Sequence, residues 1–475
     1  SDFNFEWGGD FRYRLSPKLS ATVSYNTDFA AAETDARQIN LTRFSAFFPE
    51  KRRFFLEEAG VFTFGGLEGR VRRGARNSPV FLPYFSRRIG LNSSGQVAPL
   101  VGAAKLTGRI GDFDVGIINA LLESGGELGS QNTFVGRVSK PVLDQSTVGA
   151  IVTHGDPNSD YDNLVVGSDF RYLSNNFLDK YRLEANSFII ASQSDDPNFD
   201  DGLAPSFGGN FVLPADEFEL EGSFLQIDED FNPAMGFAPR RGIRRLGTTL
   251  TYQPRPEDIA WLRQYYLIYE GEYVTNLSNQ LESSRHTFTP LSFVFESSDS
   301  IYFRFENSFD APLKDFEISD GVVISSGDYE WNRGIIGFMT ATKRMVNMTN
   351  RFSFGSFYDG DQTENRTTLN YLPSKHFGTA LSYTIQNVEL PGGDFDVKLA
   401  SLTALVNITP DFTWSNVAQY DNKSDTLGIN SRLIWEYQPG KRIFLVLNQS
   451  YLDERTGFVR KQMDTTFKLS SIYRF

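Results

Sequence analysis

The chain has 475 residues, no cysteine, 43 phenylalanines, 20 tyrosines, a mean hydropathy of −0.32 and a formal net charge of −13. These values exclude disulfide frameworks, thiolate metal sites and covalent haem attachment, and they disfavour nucleic acid as a partner. No run approaches the ~20 apolar residues of a membrane helix, so if the chain spans lipid, a closed β-barrel is the structure left to it.

The first strand is legible at once. Phe3, Phe5, Trp7, Phe11, Tyr13 and Leu15 alternate with Asn4, Glu6, Asp10, Arg12 and Arg14, and the turn Ser16-Pro17-Lys18 follows. Leu19, Ala21, Val23 and Tyr25 then alternate with Ser20, Thr22, Ser24 and Asn26. A period of two puts one residue set on each face of a strand. The pattern recurs along the chain. Leu164, Val166, Phe170 and Tyr172 oppose Asp169 and Arg171; Phe218, Leu220 and Phe224 oppose Glu217, Glu219 and Glu221; Ile301, Phe303, Phe305 and Phe309 oppose Arg304, Glu306 and Asp310; Leu427, Ile429, Leu433, Trp435 and Tyr437 oppose Asn430, Arg432 and Glu436. A charge on a lipid-facing position costs roughly 2–4 kcal/mol at midplane, so the charged face is expected to look inward. No helical pattern is available to cover the apolar face.

Connections alternate in character. Ser16-Pro17-Lys18, Asp144-Gln145, Ser298-Asp299, Pro373-Ser374-Lys375 and Thr409-Pro410-Asp411 are short, whereas 194–204, 228–241, 311–328 and 358–365 are longer and often acidic. Short periplasmic turns and long outer loops are the asymmetry of an outer-membrane barrel. The fold class expected is therefore all-β, a large transmembrane antiparallel β-barrel of about 24–26 strands, occupying residues 1–475 as a single domain. The count comes out odd, which leaves one upward strand missing upstream or miscounted. No signal peptide is visible, as in a mature or trimmed chain.

One stretch breaks the alternation. Residues 49–82 contain Pro49-Glu50-Lys51-Arg52-Arg53, then Phe54-Phe55-Leu56-Glu57-Glu58, then Arg70, Arg72, Arg73 and Arg76, with Arg87 and Arg88 just beyond. Only one membrane crossing fits between Phe48 and Asn92, so about 30 residues are surplus to the spanning pattern. They are expected either to fold inward as a lumen-filling segment, their arginines facing carboxylates such as Glu217, Glu219 and Glu221, or to form an ordinary long loop. A second basic cluster, Arg240, Arg241, Arg244 and Arg245, either favours anionic solutes or neutralises inward carboxylates. The chain's last strand carries Phe467, Leu469, Tyr473 and Phe475 on one face and is expected to be the barrel-insertion signal.

The run Arg43-Phe44-Ser45-Ala46-Phe47-Phe48-Pro49-Glu50-Lys51-Arg52-Arg53-Phe54-Phe55-Leu56-Glu57 resembles the most recognisable motif of an uncharacterised bacterial family. Pro83-Tyr84-Phe85-Ser86-Arg87-Arg88-Ile89-Gly90 and Gly102-Ala103-Ala104-Lys105-Leu106-Thr107-Gly108 are also similar to that family. Its members carry a large outer-membrane barrel after an N-terminal domain like the family 9 carbohydrate-binding modules. The resemblance implies fold and location rather than activity, and its specific part is residues 37–110.

Chemistry beyond the barrel is sparse. His154, His286 and His376 lack metal-ligand spacing, and neither a nucleophile elbow nor a P-loop is present. His154 with Asp156 is the sole candidate hydrolytic pairing. No enzymatic activity, cofactor or metal is expected. Three function classes stand in order: a pore or conduit for solute or macromolecule passage in the outer membrane of a Gram-negative bacterium, a structural sheath within a larger complex whose lumen or periplasmic face holds a protein partner, and, last, an outer-membrane enzyme. Lipid, lipopolysaccharide and the barrel-assembly machinery complete the expected partners.

Overall fold

The computed structural model describes residues 8–25, 35, 37–68, 71–72, 75–76, 81–90, 100–123, 129–454 and 457–471. These residues supply 23 strands to one antiparallel sheet, nearly closed into a barrel. The strands follow chain order. Gly9–Ser16 pairs with Leu19–Tyr25, which pairs across the 26–99 interval with Leu100–Ile110. From there each strand pairs with the next as far as Gly457–Ser471, skipping only a small hairpin, Phe316–Ser319 with Val322–Ile324. The count is odd and slightly below the about 24–26 strands expected. The first and last described strands therefore run in the same direction, and among the described residues they are not paired with each other.

The two faces differ as the alternation requires. Phe303 and Phe305 point outward and are exposed, while Thr287, Ser308 and Asp310 on the other face are buried. Aromatic side chains cluster on the outer face near the short-turn end. Phe218 packs on Tyr252 (centroids 4.8 Å apart), Trp261 on Phe295 (5.8 Å), Tyr371 on Phe377 (6.5 Å) and Trp435 on Tyr437 (6.0 Å). Amphipathic rings at one rim of an apolar band form an interfacial girdle. No helix among the described residues is long and apolar enough to cross a membrane.

The loop asymmetry holds as far as the strand Ile243–Tyr252; beyond it the short-turn side has the longer connection 253–261 and the opposite side the short one 277–280. The stretch 358–365 is not a long loop: Tyr358 and Asp359 make a tight turn and Gly360–Ser374 is already strand, paired with Val346–Phe357. Its acidic residues misled the loop assignment, because Asp361, Thr363 and Glu364 are spaced as strand residues facing both sides. Glu217 sits in the turn between Ala204–Pro214 and Phe218–Ile227, whereas Glu219 and Glu221 lie within the latter strand. Phe467 and Leu469 lie exposed on the last strand; Tyr473 and Phe475 fall outside the described residues.

Candidate functional site

The site is the lumen and the segment that crosses it. Between Asp35 and Gly90 the described backbone is a helical turn Arg53–Leu56, 3-10 turns at Ala59–Phe62 and Ser86–Arg88, left-handed backbone at Gly65 and Gly66 (φ 63° and 66°), and a minimal strand pair, Val71–Arg72 with Ala75–Arg76. Two successive left-handed residues are accessible to glycine without a Cβ clash. Such a segment cannot satisfy its own peptide groups, so when buried it must borrow partners.

It borrows them from all round the ring. Lys105, buried on the strand Leu100–Ile110, donates to the carbonyls of Phe54 (2.5 Å) and Glu57 (2.8 Å), closing the end of the helical turn. Glu58 accepts from Arg12, Ser20 (3.2 Å) and Thr107 of the first three strands. Asp169 accepts the Gly65 amide (2.9 Å) while Arg137 grips the same carboxylate through two bonds of 2.6 and 2.8 Å. The Leu82 and Phe237 backbones exchange hydrogen bonds of 2.8 and 2.9 Å. Arg43 pairs with Asp310 (2.9 Å), whose second oxygen accepts from Tyr358 (3.2 Å). Arg37 pairs with Asp421. One peptide touching strands on every side of a ring lies inside it. The segment is a plug, and its anchors extend beyond residues 49–82 in both directions.

Within the plug, Arg52 is the central cation. It is buried, bonds Glu50 through Nε (2.9 Å) and a terminal nitrogen (2.6 Å), and donates to the carbonyls of Ser86 (2.6 Å) and Ile89. Ser86 Oγ also donates to Glu50 (2.6 Å). Three parts of the segment, 50–52, 86 and 89, thus meet at one guanidinium. The Glu50 carboxyl would be raised by burial, but the hydrogen bond and charge of Arg52 and the Ser86 hydroxyl outweigh burial and hold it below the usual carboxylate range. Glu58 is likewise held low against burial, by Thr107, Arg12, Lys105 and Ser20. Glu68 goes the other way: burial raises it, despite the hydrogen bond it accepts from the Phe64 amide.

Carboxyls lowered on folding stabilise the docked plug above their unfolded pKa of about 4.3 and lose that contribution as pH falls through the folded value. Glu68 partly offsets this, since its raised carboxyl is favoured by protonation. Amide exchange in 50–64, corrected for intrinsic rates, is expected to be slow at pH 7 and to accelerate below about pH 4. Exchange that stays slow through this range would show that the two carboxylates do not hold the plug.

Two apolar clusters complete the packing. Phe64 and Phe81 join Ile151, Val165, Phe188, Ile190 and Phe231, and Phe54, Phe55 and Phe62 join Leu100, Ile118, Leu122 and Val135. Both clusters join the plug to strands in the first half of the ring. A third lies beneath the small hairpin, where Ile318, Val322 and Ile324 pack on Phe357, Tyr358, Val388 and Leu390, with Leu41 of the plug against them.

The basic residues singled out from sequence are distributed among partners. Arg87 bonds Asp35 within the plug (3.0 and 2.5 Å), and Arg88 donates to the Gly236 carbonyl (3.0 Å). Arg70 and Arg73 lie outside the described residues, as do the side chains of Arg72 and Arg76. In the second cluster Arg240 pairs with Glu282 (2.8 Å) and Arg245 with Glu272 (2.5 Å), while Arg244 donates to Gln226 (2.9 Å) and Asn279 and Arg241 stands over the Phe199 ring (4.5 Å). His154 is exposed at its strand end, while Asp156 accepts from the Asn158 amide (2.8 Å) and Ser159 (2.7 Å). No cluster of three or more residues suited to a metal occurs among the described residues.

Fold and lumen together define a large antiparallel β-barrel with an internal plug, a class compatible with an outer-membrane protein. Residues 1–147 match a family described as a domain of unknown function, DUF5916. That region covers the first strands and the plug. No curated protein matches the chain.

Proposed function

We propose that the chain is an outer-membrane barrel of a Gram-negative bacterium acting as a conduit for solute or macromolecule passage, with the Asp35–Gly90 segment narrowing its lumen. The observation that carries this is the uneven filling of a polar interior. Apolar clusters join the plug to the first half of the ring, while cavities of about 630 and 330 Å³ lie on the side of the C-terminal strands. A sheath for a folded guest protein needs an empty lumen, and here the chain's own segment takes that space. Lipid against the apolar band, lipopolysaccharide at the long-loop end and the assembly machinery at the last strand are the partners this reading implies.

The test is conductance of the purified chain in planar bilayers. Discrete, long-lived current steps are expected. A silent bilayer, together with a protein that co-purifies stoichiometrically with the barrel, would sink the conduit and favour a scaffold.

A further inference from the structure

The outer face of the paired strands Val346–Phe357 and Gly360–Ser374 carries hydrogen-bonding side chains where a lipid-facing band is expected to be apolar. The register fixes which face they occupy. Ser353 and Glu364 meet Arg333 inside the ring, whereas Phe352 and Phe354 are exposed outside it. Asn350 shares the parity of the two phenylalanines, Asn365 is the cross-strand partner of Phe352, and Thr367 is that of Asn350. All three polar residues therefore point outward. Their depth follows from the same strand. Tyr371 belongs to the girdle at the short-turn end, and Asp361 marks the far rim on the same face. Asn365 lies six residues from the first and four from the second. At about 3.3 Å per residue and a tilt of about 40°, it stands about 15 Å above the girdle, in the middle of a band about 25 Å tall.

The three side chains satisfy one another only in part. Asn350 Nδ2 donates to Asn365 Oδ1 (3.2 Å) and to Thr367 Oγ1 (2.8 Å), and Thr367 donates to Asn365 Oδ1 (3.0 Å). Among the described residues, Asn350 Oδ1 and Asn365 Nδ2 have no partner. An acceptor and a donor thus stand side by side at a depth that offers no water, where an unmade hydrogen bond is costly. A second polar island lies further round the same wall. Ser431 accepts from the Trp414 indole (2.9 Å), and Asn416 is its cross-strand neighbour. Ala400 and Ala404 face outward between the islands and keep the surface low, which permits close approach. The unpaired donor and acceptor fit a second copy of the same patch. A twofold axis along the membrane normal keeps both barrels upright and sets equal depths against each other, and in such a contact each residue meets its counterpart's neighbour reciprocally. Asn365 Nδ2 of either copy can then reach Asn350 Oδ1 of the other, so both vacancies are filled twice over by uncharged groups that do not repel.

We propose that the outer face running from Val346–Phe357 to Thr426–Gln438 is a docking surface for a second copy of this chain, centred on Asn350 and Asn365. This rests on the outer-membrane reading and is independent of conduction. The chain has no cysteine, so single-cysteine variants report neighbours directly. The full chain carrying Thr367→Cys in the patch, or Val138→Cys on the exposed outer face across the ring, is reconstituted at high lipid ratio in phosphatidylcholine vesicles and oxidised with copper phenanthroline. A disulfide-linked dimer is expected from Thr367→Cys and none from Val138→Cys. Adding Asn350→Leu and Asn365→Leu, which suit lipid, is expected to lower the dimer yield several-fold at unchanged heat-modifiable gel migration. Protein that floats with the vesicles but stays monomeric at Thr367→Cys overturns the docking surface and leaves the membrane reading standing. Equal crosslinking at both positions reports random collision and overturns it as well. A dimer that the leucine pair does not weaken overturns the part assigned to the carboxamides. Protein that does not float with the vesicles overturns the membrane reading and the docking surface with it.

Discussion

Replacing Arg52 by alanine is expected to undock the plug while the ring stays folded. The side chain is buried and satisfies Glu50, the Ser86 carbonyl and the Ile89 carbonyl together. Its loss takes the positive partner from Glu50, which keeps only the Ser86 hydroxyl and the amides of residues 51 and 52, and takes this donor from the two carbonyls. Removing one partner of a buried pair typically costs about 3–5 kcal/mol, because the other charge stays desolvated. The three parts of the plug that meet at Arg52 are expected to loosen, since the remaining Ser86–Glu50 bond links only two of them. The strands keep their own ladders, so the effect is local. Trypsin reports it: cleavage after Lys51 and Arg53, blocked in the parent chain, is expected in the variant at unchanged heat-modifiable gel migration. An uncut variant would mean that the apolar clusters alone hold the plug.

Truncating Phe64 to alanine is the second large effect, and it reaches the ring as well. Phe64 is 1% exposed, lies edge-on to Phe188 at 5.8 Å and sits beneath the Arg137 guanidinium at 5.3 Å. Its neighbours Val165 and Ile190 belong to strands, so the cavity left behind spans plug and wall. Phe-to-Ala changes at such sites cost about 3–5 kcal/mol, through lost transfer energy and unfilled volume. Arg137 also loses the ring that orients it toward Asp169, which weakens the bond to the Gly65 amide. The temperature at which gel migration shifts is expected to fall clearly for Phe64→Ala and little for Phe64→Leu. Equal shifts for both would show that the aromatic edge contacts, rather than filled volume, carry the site.

Much of this was legible from the residues. The strand alternation is a local property, and Phe303, Phe305, Leu427 and Trp435 face outward as their spacing predicts. The surplus of residues after Phe48 was visible because strand length is set by membrane thickness. What was not legible is who holds the plug. Lys105 stands in the run Gly102–Gly108 with no spacing that marks it, yet it caps plug carbonyls. Gln419 lies on a regular strand, yet it accepts the Arg37 amide from 382 positions earlier in the chain. Such contacts carry no local signature, because backbone groups of an irregular segment accept any well-placed donor. One signal was available: Glu50, Arg52, Phe54, Phe55 and Glu57 stand close together in the motif that carried the family resemblance. The structure turns them into anchors. The acidic run after Tyr358 misled for the converse reason, since charge suggested solvent where the backbone continues as strand.

The plug's position in the chain has a consequence for assembly. Its residues precede nearly every strand that surrounds them, and Arg37 is held by strands that come more than three quarters of the way along. Its full set of grips therefore exists only once the C-terminal strands stand beside it. Contacts between residues so distant in sequence form late and slowly. A barrel whose C-terminal strands are not yet in place lacks the carboxylate that pairs with Arg37.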